Sequence, residues 1–483
     1  MKRNKITCLG LIATSLLLGS LVSCGGNNDS ASSNKVYFWH TFGKGIKTQV
    51  EKQAKEFEKI IKEKEDVDIE IVLEYQGSYN DLIGKVTKSF TVGDTPQICV
   101  AYPDHVATYL NYDNNGKKYV NNLETFINDP EIGLDKEEYL NPGLLGESDF
   151  VPSFIDEGRH YIYEGTYSLP YMKSTELMLY NKDIVSSAID TLGIQESVED
   201  YMNDITWDEF MTLVNHINDN KETYFAGRDL NDVRTLFYDS DSNLFITQSY
   251  QRDIDFISMK DGKGQIDFVN DEAKDMVREF KTMYDNKALL TKGTNNGEYG
   301  SDFFKKNLCA FVVGSTGGSG YSDPVENFPV GVTKFPVYKT ATPELSKYIS
   351  QGVTLALMNN FALSEEDNTF KTKYAWKFMK YITNTKNNID ACLYSEGYVP
   401  SRSSCYVDEE YKEYLSLTDY MSVCANTVIN QINGNYFNYP VFKGSDVARN
   451  QVGAIIAEYL SGKNSDLDYL FNQAANNTKL AMN

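Results

Sequence analysis

The sequence has 483 residues, more than a single hydrophobic core supports, so two lobes are expected. Its 41% apolar and 24% charged composition is that of a globular chain, and a formal net charge of −22 excludes nucleic acid and polybasic membrane-surface binding, both of which need a concentrated basic footprint. An anionic small ligand stays open, because one buried Arg and a few backbone N–H groups hold a phosphate against an acidic global field. Thirty-four Tyr and 25 Phe stand against only 3 Trp, a surplus of rings that both stack on a ligand and hydrogen-bond it.

Lys2, Arg3 and Lys5 precede an apolar stretch from Ile6 to Val22, the order of a secretory signal. Leu21-Val22-Ser23-Cys24 resembles a bacterial lipobox. The resemblance implies a signal peptide over residues 1–23, diacylglycerol on the Cys24 thiol, and anchoring to the outer side of the cell membrane. Residues 24–34, rich in Gly, Asn and Ser, read as a flexible tether. No later stretch reaches about 18 consecutive apolar residues, so the mature chain is expected to be soluble.

Lys35–His40 is a short β-like run, and Val50, Ala54, Phe57 and Ile61 share one helical face. Val67, Ile69, Ile71, Leu73 and Tyr75 alternate with Asp68, Glu70 and Glu74 as a half-buried strand, and residues 97–101 form another. Strand–helix–strand at this spacing implies a parallel sheet. Residues 176–180 read as a strand, and Thr206-Trp207-Asp208-Glu209 as a capping box. Residues 309–313 form a strand running into the Gly-rich segment 314–320. Further strands are expected at 330–332 and 354–358. Ser364 opens a helix whose Ala375, Phe378, Met379 and Ile382 share a face, and Ser465 caps the last helix. The chain is α/β throughout with no clean linker, so it is expected to cross between lobes more than once.

The Gly-rich segment lacks the Lys-Ser/Thr of a P-loop, which argues against nucleotide hydrolysis. Its amides and the hydroxyls of Ser315, Thr316 and Ser319 suit ligand oxygens. Asn111, Asp113, Asn115 and Gly116 echo a calcium loop, but Asn122 stands where the bidentate Glu belongs, so a turn is expected. His40, His105, His160 and His216 are scattered, with no HExxH or GxSxG motif. Cys99, Cys309, Cys392, Cys405 and Cys424 are odd in number, widely spaced and outside any CxxC. They read as small buried residues. No catalytic constellation, metal site or cofactor is expected. Trp39 and His40 end a strand, and open α/β sheets bind ligands outside such ends.

Residues 170–183, ending Tyr180-Asn181-Lys182-Asp183, the helix start Thr206-Trp207-Asp208-Glu209-Phe210, and Glu396-Gly397-Tyr398-Val399-Pro400 resemble, in order and spacing, extracellular solute-binding proteins of the family-1 type. That group holds maltose, oligosaccharide and glycerol-3-phosphate binders. Phe38-Trp39-His40 and Gly77-Ser78-Tyr79 look most like its glycerol-3-phosphate binders.

The resemblance implies a two-lobed periplasmic-binding-protein fold of type II, each lobe a mixed, mainly parallel sheet flanked by helices. Residues 35–170 plus 355–396 would form one lobe and 171–354 plus 397–483 the other. Hinge strands are implied near 169–176, 350–356 and 396–401. Ligand contacts are implied at Ser174, Ser315 or Thr316, Gly352, Tyr398 and Arg449, beside Trp39, His40 and Tyr79. At 224–234 the family has Trp residues where this chain has Tyr224 and Phe225. The expected function is capture of a sugar or polyol phosphate for an ABC permease by a monomer that makes and breaks no bond. A secreted lipoprotein hydrolase and a surface adhesin are the alternatives.

Overall fold

The computed structural model describes residues 34–323, 327–338 and 342–483. The expected signal peptide and Cys24 lie outside the described residues. Eleven strands build two sheets. In chain order they are β1 (Lys35–His40), β2 (Glu70–Tyr75), β3 (Ile98–Ala101), β4 (Leu169–Ser174), β5 (Glu176–Asn181), β6 (Leu236–Tyr238), β7 (Leu289–Thr291), β8 (Phe311–Ser315), β9 (Val330–Lys334), β10 (Gln351–Leu357) and β11 (Val399–Pro400).

The first sheet runs β11-β4-β10-β3-β1-β2 and the second β7-β6-β8-β5-β9. β1 pairs in parallel with β2 and β3, as the strand–helix–strand spacing requires. β10 then runs antiparallel to β3 and β4, and β11 antiparallel to β4. In the second sheet β6 pairs in parallel with β7 and β8, while β5 runs against β8 and β9. Both sheets are therefore mixed, with most strands sharing one direction. Each has its own hydrophobic core.

Local signals carry most of these elements. Helix Lys44–Glu65 buries Val50, Ala54, Phe57 and Ile61. Thr206 and Glu209 close a reciprocal capping box on helix Trp207–Asp219. The Asn115-Gly116 pair, at φ 53° and 83°, turns a two-residue hairpin between Asp113–Asn114 and Lys117–Lys118. That is the I′-like turn such residues favour. The last helix, Leu467–Met482, is capped by Asp466, one residue beyond the expected Ser465. Among the described residues, Cys99, Cys309, Cys392, Cys405 and Cys424 are free and buried.

The chain passes between the sheets at three places. Thr175 separates β4 from β5, Ser350 precedes β10, and the third passage follows β11 and Arg402. β4, β10 and β11 all stand whole in the first sheet. The changes of lobe thus fall a few residues from the expected 170/171, 354/355 and 396/397. Arg402, fully buried, still bonds first-lobe groups, donating to Thr383 O and Asp149 Oδ2. The first two crossings are tied together, Thr175 Oγ1 donating to Ile349 O (2.7 Å), and the Gly-rich segment joins them, Thr316 N donating to Thr175 O (2.8 Å).

Candidate functional site

Between the sheets lies a cleft of about 800 Å³ whose walls come from both lobes. Its placement follows from strand direction. Tyr102, Asp239 and Lys292 each follow a parallel strand (β3, β6, β7), and Ser174 and Ser315 end β4 and β8. Side chains at these ends project past the last ladder bond into the space where the helices begin.

Five residues expected at the site line the cleft: Ser174, Ser315, Gly352, Tyr398 and Arg449. The hydroxyls of Ser315 and Ser174 stand 3.4 Å apart across the first crossing. Tyr398 lies against Gly317, where a Cβ would come within 2.7 Å of its ring, so the Gly-rich segment makes room for this ring. That segment is wound into 3₁₀ turns over Thr316–Ser322.

The other expected residues stand behind the wall. The Trp39 indole N–H donates to Glu74 Oε2 (2.7 Å) along the sheet. His40 is fully buried, stacks on Phe42 at 4.9 Å and accepts the Phe42 N–H on Nδ1 (3.1 Å). Burial and the nearby Lys47 lower its pKa to about 4, so the ring is neutral. Tyr79 stacks at 4.1 Å on Tyr102, which does line the cleft. Thr316 is buried, and its Oγ1 accepts the Thr175 N–H (3.3 Å).

The sequence reading missed several lining groups. Tyr102, Tyr299, Tyr321 and Tyr439 supply ring faces, and Asp104, Asp239 and Asp302 supply carboxylates. Lys292 sits 3.6 Å over the Tyr299 ring. Burial lifts the Asp239 carboxyl to about 6 against the pull of the Gly300 N–H (2.6 Å) and Lys292. One signal was available, for Tyr102, the residue after the strand expected at 97–101; no strand was expected before Asp239 or Lys292.

A polar knot closes the floor. Buried Lys173 donates to Glu157 Oε2 and faces the Phe154 ring at 5.4 Å. Ser350 Oγ donates to Glu157 Oε1, as does the Asn438 side-chain amide (3.2 Å). A buried ammonium needs such a partner, since leaving it unpaired costs several kcal/mol, roughly 3–5. The cleft therefore combines ring faces, hydroxyls and both signs of charge. That set has the chemistry to suit a polar ligand with apolar C–H faces.

Two mixed sheets facing each other across a cleft, with three crossings beneath it, define a two-lobed periplasmic-binding-protein fold. A family profile described as bacterial extracellular solute-binding protein matches residues 52–418, so the chain belongs to that family. No curated protein sequence matches the chain.

Solved structures share the fold. The GacH receptor of Streptomyces glaucescens GLA.O, studied unliganded and with acarbose, superposes with a TM-score of 0.63 at 19% identity, covering 93% of this chain and 98% of its own. UgpB from Mycobacterium tuberculosis, in complex with glycerophosphocholine, gives 0.67 at 16% identity, with 92% and 98% covered. Maltose-bound MalE3 of T. maritima gives 0.63 at 15%, with 92% and 99% covered.

Proposed function

We propose that this chain is the extracytoplasmic binding subunit of an ABC importer, held to the membrane through lipid on Cys24. It captures a carbohydrate or a glycerol-phosphate-like polyol between its lobes, closes by bending at the three crossings, and presents the closed form to the permease. It acts as a monomer and makes and breaks no bond.

The observation that carries this reading is the composition of the cleft wall. Tyr102 and Tyr398 offer ring faces to the apolar C–H face of a polyol, Ser174 and Ser315 offer hydroxyls, and Arg449 offers a forked donor to a phosphate or to paired hydroxyls. Proteins of the same fold hold acarbose, glycerophosphocholine and maltose. Closure draws only on the ligand's differential affinity for the closed form.

Thermal melting against glycerol-3-phosphate, glycerophosphodiesters, maltose, trisaccharides and monosaccharides tests it. A ligand at about 100 times its Kd stabilises by roughly 2.7 kcal/mol, a shift of a few degrees for a chain of this size. A shift with glycerol-3-phosphate that Arg449→Ala abolishes establishes the phosphate arm. A shift with neutral sugars alone establishes the sugar arm and removes Arg449 as a phosphate ligand. No shift across the panel overturns the proposed ligand class and favours an adhesin.

A further inference from the structure

Just behind the cleft wall lies a carboxylate that does not line the cleft. Glu176 opens β5, one residue past the crossing at Thr175, and is 2% exposed. Three donors converge on it. Tyr238 OH and Thr247 Oγ1 reach Oε2 at 2.7 and 3.2 Å, and Asn243 Nδ2 reaches Oε1 at 2.9 Å. Asn243 is itself buried, and its other end points toward the wall, where Oδ1 accepts from Nη2 of Arg449. The amide is thereby oriented without ambiguity, carbonyl to the cation and N–H to the carboxylate. Arg449 lies on helix Ser445–Leu460, packed on helix Asp241–Gln251, which carries Asn243 and Thr247.

A carboxylate at this depth is expensive to desolvate, and an apolar residue would fill the space more cheaply. A direct ion pair would draw the guanidinium inward, off the wall. The interposed amide carries the polarisation outward while leaving Arg449 at the cleft, where both Asn243 and Arg449 are lining residues.

We propose that Glu176 is a positioning residue for the ligand site: through Asn243 it fixes the Arg449 guanidinium against the cleft in the orientation that receives acceptor oxygens of the ligand. This rests on the reading of Arg449 as a ligand contact. Burial lifts the Glu176 carboxyl to about 7, against the downward pull of Tyr238, Asn243, Thr247 and Arg449, so the relay changes charge across neutral pH. The charged and titratable groups facing Glu176 are Tyr238 from β6 and Arg449 from its helix; helix Asp241–Gln251 presents the neutral Asn243 and Thr247. An oxyanion beside Arg449 favours the protonated carboxyl, and its capture is accompanied by proton uptake.

The relay is read directly in protein labelled with ¹⁵N-arginine. The Arg449 Nε–H resonance, identified by its loss in Arg449→Lys, is followed from about pH 5.5 to about pH 9, a range that spans the Glu176 titration. It moves with a midpoint near 7 in the wild type, and that step is absent in Glu176→Gln and in Asn243→Ala. His105, which also faces Arg449, is held by burial below its ordinary value, and its step lies lower and survives Glu176→Gln. A resonance that does not move in the wild type, or moves identically in Glu176→Gln, overturns the proposal.

Calorimetric titration with glycerol-3-phosphate and with maltotriose gives the second readout. The probe that binds the wild type weakens about tenfold in both Glu176→Gln and Asn243→Ala, the effect of a lost charge-assisted bond. Weak binding by Arg449→Ala alongside wild-type binding by Glu176→Gln overturns the positioning role. Wild-type binding by Arg449→Ala instead overturns Arg449 as a ligand contact, while the resonance still decides the relay. Should neither probe bind, the resonance alone decides.

Discussion

Gly352 holds φ at +106°, and a Cβ there would lie 2.3 Å from Met172 O and 2.7 Å from Lys173 Cα. The family resemblance marks this position as a ligand contact; the structure adds a backbone reason for glycine, because β10 must pass flush against β4 at a lobe crossing. Gly352→Ala is expected to cost about 2 kcal/mol or more, since neither the dihedral nor the space admits a side chain. The shift of the urea midpoint at constant slope measures it, and an unchanged midpoint would mean that the two strands separate freely here. Trp39 and His40 show the converse. Their strand end was legible, but His40 packs on Phe42 and Tyr75 and the Trp39 indole bonds Glu74 of the neighbouring strand, so both are engaged within their own lobe.

At the scale of the element, helix Glu365–Ile382 separates what periodicity predicts from what it cannot. Ala375, Phe378, Met379 and Ile382 are all buried, as their spacing requires. Lys371, Lys377 and Lys380 are buried too, although lysine is among the residues least often buried. The segment around residues 132–140 wraps that side: Trp376 Nε1 donates to Ile132 O (2.8 Å), and Lys380 Nζ to Gly133 O (3.1 Å). Glu137 sits between the two ammoniums, 2.6 Å from Lys377 Nζ and 2.6 Å from Lys380 Nζ. Glu137→Gln removes the carboxylate and leaves Lys380 with carbonyl partners alone. A loss of about 3 kcal/mol in chemical denaturation is expected, as for a broken buried pair. A loss below about 1 kcal/mol would place the network with solvent-screened surface pairs.

For the whole molecule, the knot of Glu157, Lys173, Ser350 and Asn438 joins first-lobe strand, crossing and second-lobe segment at the cleft floor. In the proposed closure, motion about the crossings would open or close the walls around this fixed point. Small-angle scattering is expected to show a smaller radius of gyration in the presence of whichever panel compound raises the melting temperature. Identical curves with and without that compound would deny closure, whatever the affinity.

Much of this was determined by the sequence alone. Strand and helix periods, the Thr206 capping box and the Asn115-Gly116 turn are local, because each depends on residues within one or two turns of chain. The ordered segments 170–183, 206–210 and 396–400 pointed to the family that the profile over residues 52–418 shows. Ser174, Ser315, Tyr398 and Arg449, which the family resemblance marks, line one cleft. Tertiary structure alone decided the rest. Which strand ends open onto the cleft depends on sheet order, which places β3, β6 and β7 so that Tyr102, Asp239 and Lys292 face a common space. The burial of Glu176 and its link to Arg449 join residues 67 and 206 positions apart through Asn243. A carboxylate's charge and pKa follow from what packs around it, and those neighbours meet only when the two helices dock.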